Sequence, residues 1–77
     1  MTPLDAKTQE VVDAIMRVIE LCHQQNVTTS WRNIFLFLRF PPAAWHDMPD
    51  LDEPILVRHD GDLMIMKAMI SSYFATK

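Results

Sequence analysis

The segment 31–40 (WRNIFLFLRF) constrains the fold of this chain most, because a helix formed by it is apolar on nearly every side. Arg32 and Arg39 share one narrow stripe, and Asn33 is the remaining polar residue. The hydroxyl residues 28–30 are candidate N-caps, and the two prolines after the segment forbid the helix from continuing. A helix that is apolar all round is buried on more than one side. We therefore expect it to lie at the centre of the domain.

A chain of 77 residues makes one small domain, so we assign 1–77 to a single helical domain. Its residues are 49% hydrophobic and 22% charged, which is typical of a globular protein and not of a disordered tail. So small a domain has too little interior to enclose a helix that is apolar all round together with two amphipathic helices. Apolar surface that remains exposed is typical of an interface. The sequence thus predicts contact with a second copy of the chain, as a homodimer, or with another protein.

A first helix is predicted for 3–25. Thr2 suits its N-cap and Pro3 its first helical position. Asn26 tolerates the left-handed conformation that ends many helices. Apolar side chains recur at helical spacing and form one stripe; they are Leu4, Val11, Val12, Ile15, Val18, Ile19 and Cys22. We expect this stripe to pack on the second helix.

The third helix is predicted to begin at Asp60 or Gly61 and to run to about Thr76. Its apolar face would consist of Leu63, Met66, Ile70, Tyr73 and Phe74. The alternative is a β-hairpin, because Asp60-Gly61 between two apolar runs is a strong hairpin signal. The run 63–66 lacks the alternation of a strand and favours the helix. The predicted fold is therefore mainly α, with three helices; the alternative is α+β with a C-terminal hairpin.

A proline-rich acidic connection, 41–54, joins the second and third helices. The stretch 47–62 holds six acidic residues and one arginine, which gives a local net charge of −5. Such charge acts on the rate and selectivity of association. Asp50, Asp52 and Glu53 are accordingly candidates for steering a basic partner.

The sequence offers no pattern of catalytic residues. A single glycine excludes a phosphate-binding loop and a dinucleotide fingerprint. Cys22 lies on the apolar stripe, the usual place of an inert thiol. The pairs His46-Asp47 and His59-Asp60 fit surface polar residues better than metal ligands. We expect a protein that is not an enzyme, with no catalytic residue, metal site, cofactor or small-molecule substrate.

A helix-turn-helix can also be drawn from the first helix, a turn at Asn26-Val27 and the residues 28–33 that begin the second helix. Its reading helix would present Thr29, Ser30, Arg32 and Asn33 to DNA. The net charge of −3 is the wrong sign for a protein that binds nucleic acid mainly through phosphates. A dimeric DNA-binding regulator is therefore the alternative function, and nucleic acid is not the expected partner.

The favoured function is that of a small regulator, adaptor or inhibitor that acts through protein–protein contacts. Buried aromatic side chains dominate such interfaces, and the aromatic candidates are Trp31, Phe35, Phe37, Phe40 and Trp45. Arg32 and Arg39 are candidates for orienting the partner.

The expected location is cytoplasmic. Asp5 and Glu10 stand where a signal peptide has a basic start and an apolar core. The longest apolar run, 34–38, is too short to cross a bilayer, so we expect no membrane partner.

Overall fold

The computed structural model describes residues 6–75 and shows a mainly helical domain. Its helices are α1 (Ala6–Gln24), α2 (Trp31–Phe37) and α3 (Asp60–Ala75), with one turn of 3-10 helix at Pro42–Ala44. Within these residues no strand forms, and Ser30 and Pro54 make an isolated antiparallel bridge. The prediction of a small three-helix fold is confirmed. The predicted N-cap and first turn of the first helix, 2–5, and the predicted end of the third helix near Thr76 lie outside the described residues.

The apolar arc of α1 faces the core, and its polar arc faces solvent. The buried residues are Val12, Ile15, Met16 and Ile19. The buried arc is therefore turned toward Met16, which the predicted stripe left out. Val11, Val18 and Cys22 belong to the predicted stripe but are only half-buried at its edge. This edge of α1 borders the groove described below.

The helices α1 and α2 are each followed, two residues after the last helical residue, by a residue in the left-handed conformation. Asn26 has a φ of 56°, as predicted for the end of α1, and Arg39 has a φ of 61° beyond α2. The N–H of Phe40 donates to the carbonyl of Phe35 at 3.0 Å, which completes a Schellman motif. The prediction that the second helix reaches Phe40 is therefore wrong. The chain leaves the helix after Phe37 because it turns at Arg39, ahead of the prolines.

The core is shared by all three helices and the connection 41–54. Its buried residues are Val12, Ile15, Met16, Ile19, Trp31, Ile34, Phe35, Trp45, Met48 and Ile70. The helix α1 packs against both α2 and α3, whereas α2 and α3 do not pack along each other. The expectation that the second helix is central is therefore wrong for the helix as a whole. With two turns, α2 is too short to separate the other elements.

The ring of Phe35 is nevertheless the centre of an aromatic cluster. It stacks on Trp31 and Trp45, with ring centroids 6.4 and 5.4 Å apart. It also contacts Phe40 at 6.0 Å and the edge of Phe74, on α3, at 6.2 Å. Aromatic pairs at these distances are favourable beyond the area they bury. The cluster thus joins α2, the connection and the C-terminal half of α3.

The N-terminus of α3 shows why the hairpin alternative is wrong. Gly61 lies in the first turn of the helix without the positive φ that a type I′ turn requires. Its N–H donates to Nδ1 of His59 at 3.1 Å. The carboxylate of Asp62 accepts the N–H of Arg58 at 2.9 Å, which satisfies a backbone donor at the helix start. Acidic residues in the first turn also suit the helix dipole.

Candidate protein-interaction surfaces

The five aromatic candidates do not share one surface. Trp31, Phe35 and Trp45 are buried in the core, where they hold the domain together instead of meeting a partner. The indole N–H of Trp45 donates to the carbonyl of Phe40 at 3.0 Å, so this side chain is also satisfied internally. Phe40 is half-buried against the core. Phe37 is the exposed one, with 73% of its surface open to solvent.

Phe37 borders an apolar groove between α1 and α2. We call this the Phe37 groove; its lining residues are Val18, Leu21, Cys22, Thr29, Asn33, Ile34 and Phe37. The groove has a volume of about 340 Å³. Leu21 on the facing wall is 51% exposed, so both sides of the groove present large apolar side chains. Exposed apolar side chains on both sides make the groove a candidate site of association.

A second depression lies on the other side of Phe37. Ala14, Val18, Leu21 and Leu38 form its apolar floor, and Glu10, Asp13 and Arg17 line it as well. The Asp13 carboxylate already accepts a hydrogen bond from the amide of Gln9 at 3.0 Å. The ring of Phe37 therefore lines both an apolar groove and a depression of mixed polarity.

Arg32 is exposed at the start of α2 and binds the connection 41–54. Its Nε and Nη2 donate to the two oxygens of Asp52 at 2.7 and 3.4 Å. The hydrogen bond from Arg32 lowers the pKa of Asp52 below its ordinary value. The guanidinium also lies over the ring of Trp45, 5.8 Å from its centroid. These contacts fix the acidic segment against the start of α2.

The backbone reinforces the same contact. The N–H of Arg32 donates to the carbonyl of Leu51 at 3.1 Å, and the N–H of Ile55 donates to that of Thr29 at 2.8 Å. The acidic segment therefore follows the chain that leads into α2. Asp50 and Glu53 stay exposed there, beside the Arg32–Asp52 pair. Arg39, the second arginine candidate, is exposed at the opposite end of α2.

The outward side of α3 is a surface that the sequence analysis did not single out. At 100° per residue, an arc of about 160° on this helix carries no charged side chain. We call this arc the α3 face; its residues are Gly61, Met64, Ile65, Ala68, Met69, Ser71, Ser72 and Ala75. Met64 and Ile65 are 75% and 67% exposed. The signal was present in the sequence, because a helix with a solvated face normally carries charges there.

Two features are absent from the residues that the structure describes. Within 6–75, no group of three or more His, Cys, Asp or Glu side chains is placed to hold a metal ion. None of the helices in that range combines the length and the apolar character needed to span a bilayer.

Comparison with protein-family models, with curated proteins and with solved structures gives no match to this chain.

Proposed function

We propose that this chain is a small, non-enzymatic protein-binding domain that acts as a regulator, adaptor or inhibitor in the cytoplasm and engages another protein through the Phe37 groove. The observation that carries the proposal is the position of Phe37. Its aromatic ring is largely exposed on the last turn of a helix and borders an apolar groove. An exposed aromatic side chain beside an apolar depression is typical of an interface hot spot.

The rest of α2 makes this surface rigid. Ser30 accepts the N–H of Asn33 at 3.3 Å and caps the helix, while the Schellman motif closes its other end. The buried Ile34 and Phe35 fix the rotation of the helix about its axis. A preorganised contact surface loses little conformational entropy on binding.

The lining of the groove indicates the chemistry of the partner. The walls are apolar apart from Thr29 and Asn33. A partner that inserts two or three aliphatic or aromatic side chains from one face of a helix fits this lining. On the far side of Phe37, the two acidic residues and Arg17 offer contacts to a polar rim of the partner.

The alternative function of a DNA-binding regulator has less support. The side chain of Arg32 is held by Asp52, and Ser30 is used as the cap of α2. The exposed carboxylates of Asp50 and Glu53 lie at the same end of the helix and would repel phosphate.

The test compares two apolar-to-acid substitutions on the same helix. Phe37→Asp places a charge in the lining of the groove. Leu36→Asp places it on an exposed neighbour that lines neither depression. Affinity capture from the source cell, followed by a binding titration with the captured protein, should show a loss of at least about thirtyfold for Phe37→Asp. Leu36→Asp should bind as the unchanged protein does.

Two outcomes would contradict the proposal. Equal loss with both variants would show that the groove is not the contact. Retention of a DNA duplex at physiological salt that is abolished by Arg32→Ala would favour the alternative function instead.

A further inference from the structure

We propose that two copies of this chain associate through the α3 face, with the two α3 helices antiparallel and a twofold axis passing between positions 66 and 67. The chain would thus use one surface for itself and keep the Phe37 groove for another protein. The inference does not rest on the proposed function, because the Phe37 groove and the α3 face have no residue in common.

The first argument is the exposure of large apolar side chains on the α3 face. Met64 and Ile65 are mostly exposed, Met69 is 47% exposed, and Leu56 stands beside Ile65 at the edge of the face. The opposite side of α3 packs on the core through Ile70 and its half-buried neighbours. Methionine side chains are flexible and adapt readily to a facing helix.

The second argument is the distribution of charge, which selects the antiparallel orientation. Asp60 and Asp62 lie in the first turn of α3, next to the acidic connection 41–54. A parallel pair would bring these acidic ends together and align the two helix dipoles. An antiparallel pair separates the acidic ends by the length of the helix, about 24 Å for 16 residues.

The third argument is the order of residues along the α3 face. With the axis between 66 and 67, Ile65 lies opposite Ala68 of the second copy. Met64 lies opposite Met69 of the second copy near the centre. The bulky Ile65 thus faces a small residue, as packing of two helices at close distance requires. A twofold interface needs such a self-complementary surface.

The area of contact predicts a weak dimer. The α3 face is a strip about 24 Å long and about 10 Å wide. Its area is well below the roughly 800 Å² per partner that a standard stable interface buries. Leu56 extends the contact only at its edges. The molecular mass in solution should therefore rise with concentration from 9.0 kDa toward twice that value.

The orientation can be tested by site-specific crosslinking in a Cys22→Ala background. Ala68→Cys places two thiols about 5 Å apart along the helix axis in the proposed dimer, and Ser72→Cys places them about 16 Å apart. A short bis-maleimide should link the Ala68→Cys chains and leave the Ser72→Cys chains single. Both positions are exposed, so neither substitution disturbs the core.

Sedimentation equilibrium supplies the second readout. Ile65→Asp should raise the dissociation constant of the dimer at least about thirtyfold, because the twofold axis places the buried charge in the contact twice. Phe37→Asp, the matched control on α2, should leave that constant unchanged.

Three results would overturn the inference. Equal crosslinking at positions 68 and 72 would mean a parallel pair. A dimer weakened by Phe37→Asp and not by Ile65→Asp would place the contact at the groove. A monomer at all accessible concentrations would mean that α3 does not pair with a second copy.

Discussion

The helices α2 and α3 are both apolar on nearly every side, yet the fold buries a larger share of α2 than of α3. Of the seven residues of α2, Trp31, Ile34 and Phe35 are buried. In the sixteen residues of α3, only Ile70 is fully buried. The difference lies in what covers each helix. The connection 41–54 supplies Trp45 and Met48 to the core against which α2 packs, whereas the outward side of α3 is exposed along its length.

This comparison shows what an all-round apolar pattern means. The pattern indicates that a helix needs neighbours on several sides, but it does not say whether the same chain supplies them. For α2, the same chain supplies most of the neighbours and leaves Leu36 and Phe37 exposed. For α3, we infer that a second copy supplies them. Substitutions in the two helices should therefore act on different quantities, on folding in α2 and on association in α3.

The largest effect is expected for Phe35→Ala, which removes the ring at the centre of the aromatic cluster. Loss of a buried phenylalanine costs about 3–5 kcal/mol of unfolding free energy through lost transfer energy and the remaining cavity. Urea denaturation followed by tryptophan fluorescence measures the change. Phe37→Ala is the matched control and should cost less than about 0.5 kcal/mol, since its ring is exposed.

A second outcome bears on the same comparison. If Phe35→Ala prevents folding, Phe35→Leu should remain measurable with a loss of about 1–1.5 kcal/mol. Equal costs at positions 35 and 37 would mean that α2 is not enclosed by its own chain.

A smaller effect is expected at the end of α2. Arg39 adopts a left-handed conformation that costs most residues about 1–2 kcal/mol. Glycine avoids this cost, although it also has more freedom in the unfolded chain. Arg39→Gly should therefore stabilise the domain by about 0.5 kcal/mol, measured as a rise in the urea midpoint. Arg39→Val should destabilise it by about 1 kcal/mol, because a β-branched residue at positive φ is strained.

The matching position at the end of α1 provides the control. Asn26 tolerates a positive φ, so Asn26→Gly should change stability less than Arg39→Gly does. A gain at position 26 that equals the gain at 39 would show that the effect does not come from relieved strain.

Acid should weaken both regions through two carboxylates. The hydrogen bond from Arg32 lowers the pKa of Asp52, and the backbone N–H of Arg58 lowers the pKa of Asp62. A carboxylate with a depressed pKa stabilises the fold above its unfolded pKa of about 4, and the stabilisation disappears as pH falls through the lower folded value. Stability should therefore decrease as the pH falls below about 5.

The substitutions Asp52→Asn and Asp62→Asn separate the two contributions. Each should lower stability at pH 7 and make the acid dependence of unfolding less steep, as followed by circular dichroism. Asp52→Asn should loosen the connection over α2, and Asp62→Asn should increase amide exchange in the first turn of α3. An acid dependence unchanged by both would show that these carboxylates are not responsible.

The outline of the fold could be read from local signals in the sequence. The N-cap among residues 28–30, Asn26 as a helix end and the inward face of α3 all depend on residues close in the chain. The structure confirms them and selects Ser30 as the cap. The end of α2 could not be read in this way. Arginine at position 39 gives no sign of a left-handed turn, which arises because Phe40 packs back onto Phe35.

The candidate contact surface was harder to predict than the helices. Whether Trp31 and Trp45 face the core or a partner depends on where the connection 41–54 folds, and that path is set by contacts between distant residues. Arg32 and Asp52 are twenty positions apart and appeared in the sequence as two separate charges. Among the candidates on α2 and just beyond it, the structure leaves Arg32, Phe37 and Arg39 exposed, and Arg32 is the one whose side chain is paired within the chain, with Asp52.

The smallest change in intrinsic stability is expected for Met64→Ser on the α3 face. The side chain is exposed in the single chain, so the free energy of unfolding of the monomer should change by less than about 0.5 kcal/mol. A dimer, however, is stabilised by mass action, so the unchanged protein should gain thermal stability as its concentration rises. Met64→Ser should reduce this dependence on concentration while leaving the melting temperature at high dilution unaltered. Thermal unfolding followed by circular dichroism over a wide concentration range measures both quantities. A melting temperature that falls equally at every concentration would mean that Met64 supports the fold of the single chain, and the contrast between α2 and α3 would then disappear.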